Sequence, residues 1–163
     1  MPRPRERLAA DSGVAEATAG RRRRPKAGLD VPLVIAAGGA LGAVARYGIA
    51  LWVPHVPGAF PWATIAANVS GCLVIGVLMV LLTELGGRPH RLVRPFLGVG
   101  VLGGFTTFST YTVDIHQMLQ AGAPHTALVY LFATLAAALV AVEVGMATTR
   151  LAVRSAARKG SDR

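Results

Sequence analysis

Gly103-Gly104-Phe105-Thr106-Thr107-Phe108-Ser109-Thr110-Tyr111 lies inside an apolar segment of membrane length. Two adjacent glycines weaken a helix at that point. Thr106, Thr107, Ser109 and Thr110 then supply hydroxyls where lipid offers no partner. Backbone at membrane depth leaves the helical pattern only where it is buried in protein or lines a polar cavity. The stretch therefore predicts a transmembrane helix broken in mid-membrane. A broken helix rich in hydroxyls and aromatics is the setting of a small-ion or solute site.

Working outward, this stretch sits in the third of four apolar segments, at about 31–53, 62–82, 95–119 and 123–148. Each exceeds the roughly 20 residues that a spanning helix needs. The composition agrees: 53% of the 163 residues are hydrophobic and 15% charged, with a mean hydropathy of +0.50. A soluble domain would carry more charge than this. The expected fold is all-α, a bundle of four transmembrane helices. The domain organisation reads as a disordered basic tail over 1–30, a membrane domain over 31–150 and a second basic tail over 151–163. A basic run followed by an apolar run and Ala43-Val44-Ala45 resembles a cleaved secretory signal. The apolar pattern resumes after Arg46, however, so the segment reads as the first span.

Charge sets the expected orientation. Of the 17 basic residues, only Arg46 lies outside the N-terminal tail, the C-terminal end from Arg150 onward and the loop that carries Arg88, Arg91 and Arg94. With four spans those three regions share one side, and the positive-inside rule makes it the cytoplasmic side. The protein is expected in the plasma membrane, multi-pass, with both termini inside. The net charge of +9 flanks hydrophobic segments, so nucleic acid is not expected as a partner. The basic tail suits the anionic headgroups of the lipid bilayer.

The polar residues within the spans are the functional candidates. Arg46 can snorkel to the interface, meet carbonyls or a carboxylate, or attract anions to a pore mouth. Asn68 can donate to an anion or bond between helices. Asp114 follows Tyr111 by three residues and falls near its face if the helix resumes there. Tyr130, Thr134 and Ala138 are spaced four apart and line one face of the fourth helix. Cys72 is the only cysteine, no His lies at a helix centre, and helices one and two, over 31–53 and 62–82, hold no carboxylate. Acid–base or metal-hydrolytic catalysis has no machinery here, so an enzyme is not expected. Neutral donors suit a small anion that must bind and leave, and aromatic edges face an anion weakly. Carbonyls freed at a helix break suit a hard cation such as Na⁺.

Three motifs, one per helix, resemble the CrcB/Fluc family of fluoride channels. They are Gly38-Gly39-Ala40-Leu41-Gly42-Ala43-Val44-Ala45-Arg46-Tyr47, Ala63-Thr64-Ile65-Ala66-Ala67-Asn68-Val69-Ser70-Gly71, and Gly98 through Tyr111. The resemblance covers about 31–148 and implies an antiparallel dimer with two fluoride pores. It implies a structural Na⁺ at the dimer centre, held by the backbone carbonyls of Gly103 and Thr106. It also implies a fluoride pathway along Asn68, Thr107, Phe108, Ser109, Thr110, Tyr111, Tyr130 and Thr134, with Arg46 and Asp114 in structural or electrostatic roles. The implied activity is passive: HF enters neutral, dissociates inside, and fluoride leaves through the pore.

Three positions depart from the family pattern: Tyr111 replaces a phenylalanine, Asp114 a glutamate, and Ala138 a hydroxyl residue. The charge bias also implies one fixed orientation, and hence pairing with an oppositely oriented homologue. Two other readings meet specific objections. A small multidrug-type, proton-coupled exporter needs a carboxylate in its first helix, and 31–53 has none. A non-transporting membrane assembly protein would not need hydroxyls and aromatics at a helix break.

Overall fold

The computed structural model describes residues 28–54, 59–84 and 90–161. The basic tail expected over 1–30 lies almost wholly outside the described residues, as do Arg88 and the start of the loop that carries it. Every regular element among the described residues is helical.

Helix α1 spans Asp30–Trp52 and α2 spans Trp62–Glu84. A π-wound stretch, Arg94–Val101, leads into the single turn α3, Leu102–Phe105. Pro95 lacks an amide proton, and Gly98 and Gly100 tolerate unusual winding, so this segment leaves the α pattern at low cost. Helix α4 spans Phe108–Gln120 and α5 spans Pro124–Ser161. Four segments are long and apolar enough to cross a membrane: Asp30–Trp52, Trp62–Glu84, Arg94–Gln120 and Pro124–Ala156. The fourth helix runs well past 148, because 149–159 contains neither Gly nor Pro and is rich in Ala and Arg.

Packing divides the bundle into two tight seams. α1 lies against the π-wound stretch and α3, while α2 lies against α5. Both seams are backbone-to-backbone contacts that only glycine permits. A Cβ on Gly42 would strike the Val101 carbonyl, and one on Gly76 would strike the Val142 carbonyl. Without a hydrophobic force between helices in lipid, close approach of small residues is what holds such seams. Large apolar side chains point outward instead: Leu33, Phe132 and Leu139 are all strongly exposed. That distribution is wrong for water and right for lipid or a second subunit.

The two ends of the bundle differ. At one end Asp30 pairs with Arg91, and Glu84 Oε1 lies 2.7 Å from Arg150 Nε. At the other, Trp52 and Trp62 are exposed, as expected of rings at a membrane interface. There α4 closes with a Schellman turn: Ala123 donates to the Met118 carbonyl, Gly122 donates to Leu119, and Gly122 adopts φ 73°. Pro124 then opens α5, a position where its missing amide is harmless.

Candidate functional site

Between α3 and α4 the chain is extended at two residues, with ψ of 157° at Thr106 and φ/ψ of −147°/124° at Thr107. Asn68, reaching from α2, clamps this point. Its Nδ2 donates to the Thr107 carbonyl at 2.9 Å, and its Oδ1 accepts the Thr107 amide at 2.7 Å. The Thr107 hydroxyl accepts the Thr110 amide at 3.1 Å and so caps the N-terminus of α4.

These bonds have a consequence for the carbonyls. In an unbroken helix the Thr107 amide would close on Gly103, and the Thr110 amide on Thr106. Here the first goes to Asn68 and the second to the Thr107 hydroxyl. Gly103 and Thr106 therefore lose the amide donors a helix would give their carbonyls. The Gly104 carbonyl, by contrast, accepts from Arg46 Nε at 3.2 Å.

A cavity of about 320 Å³ opens beside the break. Asn68, Thr106, Thr107, Phe108, Tyr111 and Thr134 contribute to its wall, and Gly103 and Ala138 border it too. Thr134 is 4% exposed, and its hydroxyl has no hydrogen-bond partner among the described residues. An unmatched buried hydroxyl costs about 1–3 kcal/mol. Aromatic rings continue from the cavity in a column: Phe108 to Tyr111 at 5.7 Å, Tyr111 to Tyr130 at 5.1 Å, Tyr130 to Phe60 at 5.7 Å. Phe108 itself is 76% exposed, so one side of this column is uncovered in the single chain.

The remaining polar groups of the expected site have partners near the break or deeper in the bundle. Ser109 is exposed, its hydroxyl 3.3 Å from that of Thr107, and Thr110 Oγ1 accepts from the Thr107 hydroxyl at 3.0 Å. Both belong to the helix cap and not to the cavity wall. Tyr130 is fully buried, and its hydroxyl donates to Asp114 Oδ2 at 3.1 Å. Thr64 donates to the same oxygen at 2.8 Å. The Tyr111 hydroxyl donates to the Leu131 carbonyl at 2.8 Å. Thr64 was not among the expected residues. It precedes Asn68 by four, which puts both on one face of α2, and that spacing was the available signal.

The chain's sequence relatives are consistent in kind. Residues 33–146 match the family described as "CrcB-like protein, Camphor Resistance (CrcB)". A protein of Nocardia farcinica named "Fluoride-specific ion channel FluC 2" is 54% identical over 126 residues, covering 77% of this chain and 89% of the relative. One of Streptomyces avermitilis with the same name is 52% identical, covering 83% and 85%. "Fluoride-specific ion channel FluC" of Rhizobium meliloti is 41% identical, covering 74% and 97%.

Proposed function

The chain belongs to the CrcB-like family, and from that premise we propose that it is a fluoride-specific channel that lowers cytoplasmic fluoride by passive efflux. The observation that carries this reading is the Thr134 hydroxyl, buried without a partner among the described residues at the wall of a cavity beside the extended residues. A hydroxyl in that state gains a hydrogen bond when a small anion passes, and the gain is modest enough for release. Fluoride is the smallest halide and the strongest acceptor among them, so it gains most from a single neutral donor. The second proton of the Asn68 amide adds a donor on the same wall. The edges of Phe108 and Tyr111 supply weak positive potential without a fixed charge that would trap the ion.

A Na⁺ belongs to this reading as a structural ion. The carbonyls of Gly103 and Thr106, deprived of their helical donors, are hard neutral oxygens suited to it. When bound, Na⁺ would satisfy those oxygens and stiffen the break. The exposed face of Phe108 supports a dimer in which a second subunit covers it, and antiparallel packing gives each subunit the same role at a shared centre. Confinement of every basic residue but Arg46 to the two ends of the chain and one loop supports a fixed orientation, with the termini in the cytoplasm and an oppositely oriented homologue as partner.

The test is fluoride efflux from liposomes, with this chain reconstituted alone and together with such a homologue. Fluoride release that chloride does not accompany is the expected result. If neither preparation moves fluoride, the channel reading fails. Replacing Na⁺ by a bulky organic cation during purification is expected to abolish release, and unchanged release would remove the ion from the scheme.

A further inference from the structure

The basic end of the bundle carries a surface that has no part in the cavity wall. Arg150, Arg154 and Arg158 recur at four-residue intervals on α5 and so share one face. Arg150 is neutralised by Glu84. Arg154 and Arg158 are exposed and have no carboxylate partner among the described residues. The chain from Leu151 to Ser161 contains no acidic residue at all.

Helix length puts these two guanidinium groups at a particular depth. α1 and α2 have 23 residues each, about 34 Å, close to the roughly 30 Å hydrocarbon core. α5 has 38 residues, about 57 Å, and overshoots. The pairs Asp30–Arg91 and Glu84–Arg150 mark the level where charge becomes tolerable at this end. Above Arg150 the helix rises about 6 Å to Arg154 and about 12 Å to Arg158. The headgroup layer on each side is roughly 5–8 Å deep. Arg154 thus lies within the phosphate layer, and Arg158 reaches down to it from the outer edge. Leu151, 66% exposed one turn below, lies at the acyl boundary beneath them.

We propose that Arg154 and Arg158 bind the phosphate of an anionic phospholipid, anchoring the overshooting end of α5 in the leaflet. Two guanidinium groups one turn apart can bracket one phosphate and donate to it from both sides. The lipid's net negative charge distinguishes it from a zwitterionic neighbour with the same phosphate. The proposal requires only that the bundle sits in a bilayer and is independent of which ion the channel conducts.

Native mass spectrometry of the purified full chain in mild detergent tests this, with titration by phosphatidylglycerol, phosphatidylcholine and inorganic phosphate. The wild type is expected to retain phosphatidylglycerol well above phosphatidylcholine, and to lose it as salt rises. Each guanidinium near an anionic headgroup contributes roughly fivefold, so R154Q/R158Q should weaken phosphatidylglycerol binding about thirtyfold. R154K/R158K, which keeps the charge, should stay within about fivefold of wild type. Equal retention of the two lipids, or unchanged binding by R154Q/R158Q, overturns the proposal. Displacement of the lipid by millimolar inorganic phosphate also overturns it, since the site would then be one for the free anion.

Discussion

Two polar regions lie on the wall of one cavity and are treated oppositely. At the junction of α3 and α4, Asn68 meets the Thr107 amide and carbonyl together, and the Thr107 hydroxyl meets the Thr110 amide. On α5, the Thr134 hydroxyl is just as buried and meets no partner among the described residues. The first region resembles a clamp, in which polar groups hold a backbone shape that lipid would otherwise forbid. The second resembles a vacancy, in which a donor is held ready at a standing energetic cost. The contrast indicates that polarity at membrane depth has two uses here, and that burial alone does not tell them apart. The count of satisfied hydrogen bonds does.

The contrast can be broken from the clamp side first. Asn68→Ala leaves the Thr107 amide and carbonyl unpaired and should cost about 2–4 kcal/mol. Thermal unfolding of the detergent-solubilised protein should register it as a large loss. A loss under 0.5 kcal/mol, about the size of an ordinary surface change, would mean that Asn68 is not a clamp. Asp114→Ala strips two hydroxyls, Thr64 and Tyr130, of their shared acceptor and should cost about 2–3 kcal/mol by the same measurement.

The vacancy predicts the opposite sign. Thr134→Val removes an unmatched hydroxyl at nearly constant volume, so stability should stay level or rise by about 1 kcal/mol. Fluoride efflux from liposomes should meanwhile fall about tenfold, the worth of one hydrogen bond of about 1.4 kcal/mol. Equal losses of stability and flux would make Thr134 an ordinary core residue. Tyr111→Phe is the smallest test. It removes the bond to the Leu131 carbonyl and should cost about 0.5–1.5 kcal/mol, with efflux within about twofold of wild type. A strong gain or loss of efflux would show that this hydroxyl reaches the ion path and is not confined to pinning α4 to α5.

Much of the architecture was legible beforehand. The starts of the first two spans, Asp30 and Trp62, fall within a residue of the apolar boundaries read from the sequence. The end of the fourth was not legible from hydropathy, because the helix continues past 148 through a basic run that is polar yet strongly helix-forming. At the site, the residue types were visible but not their partners. Asn68 could have donated to an anion or bonded across helices, and the fold engages both ends of its amide with one residue, Thr107. Ser109 and Thr110 carry the same chemistry as Thr134, yet their hydroxyls lie against the Thr107 hydroxyl at the helix cap.

What the sequence determined by itself is the membrane bundle and its charge asymmetry. Hydropathy and charge act through local, nearly additive transfer free energies, which a window of consecutive residues already contains. Only the tertiary structure decided which polar group is left over. Hydrogen bonding is pairwise and saturable, and its pairs here join residues 39, 50 and 58 positions apart. No local window contains both members of such a pair, so the spare hydroxyl on Thr134 emerges only once every other partner has been assigned.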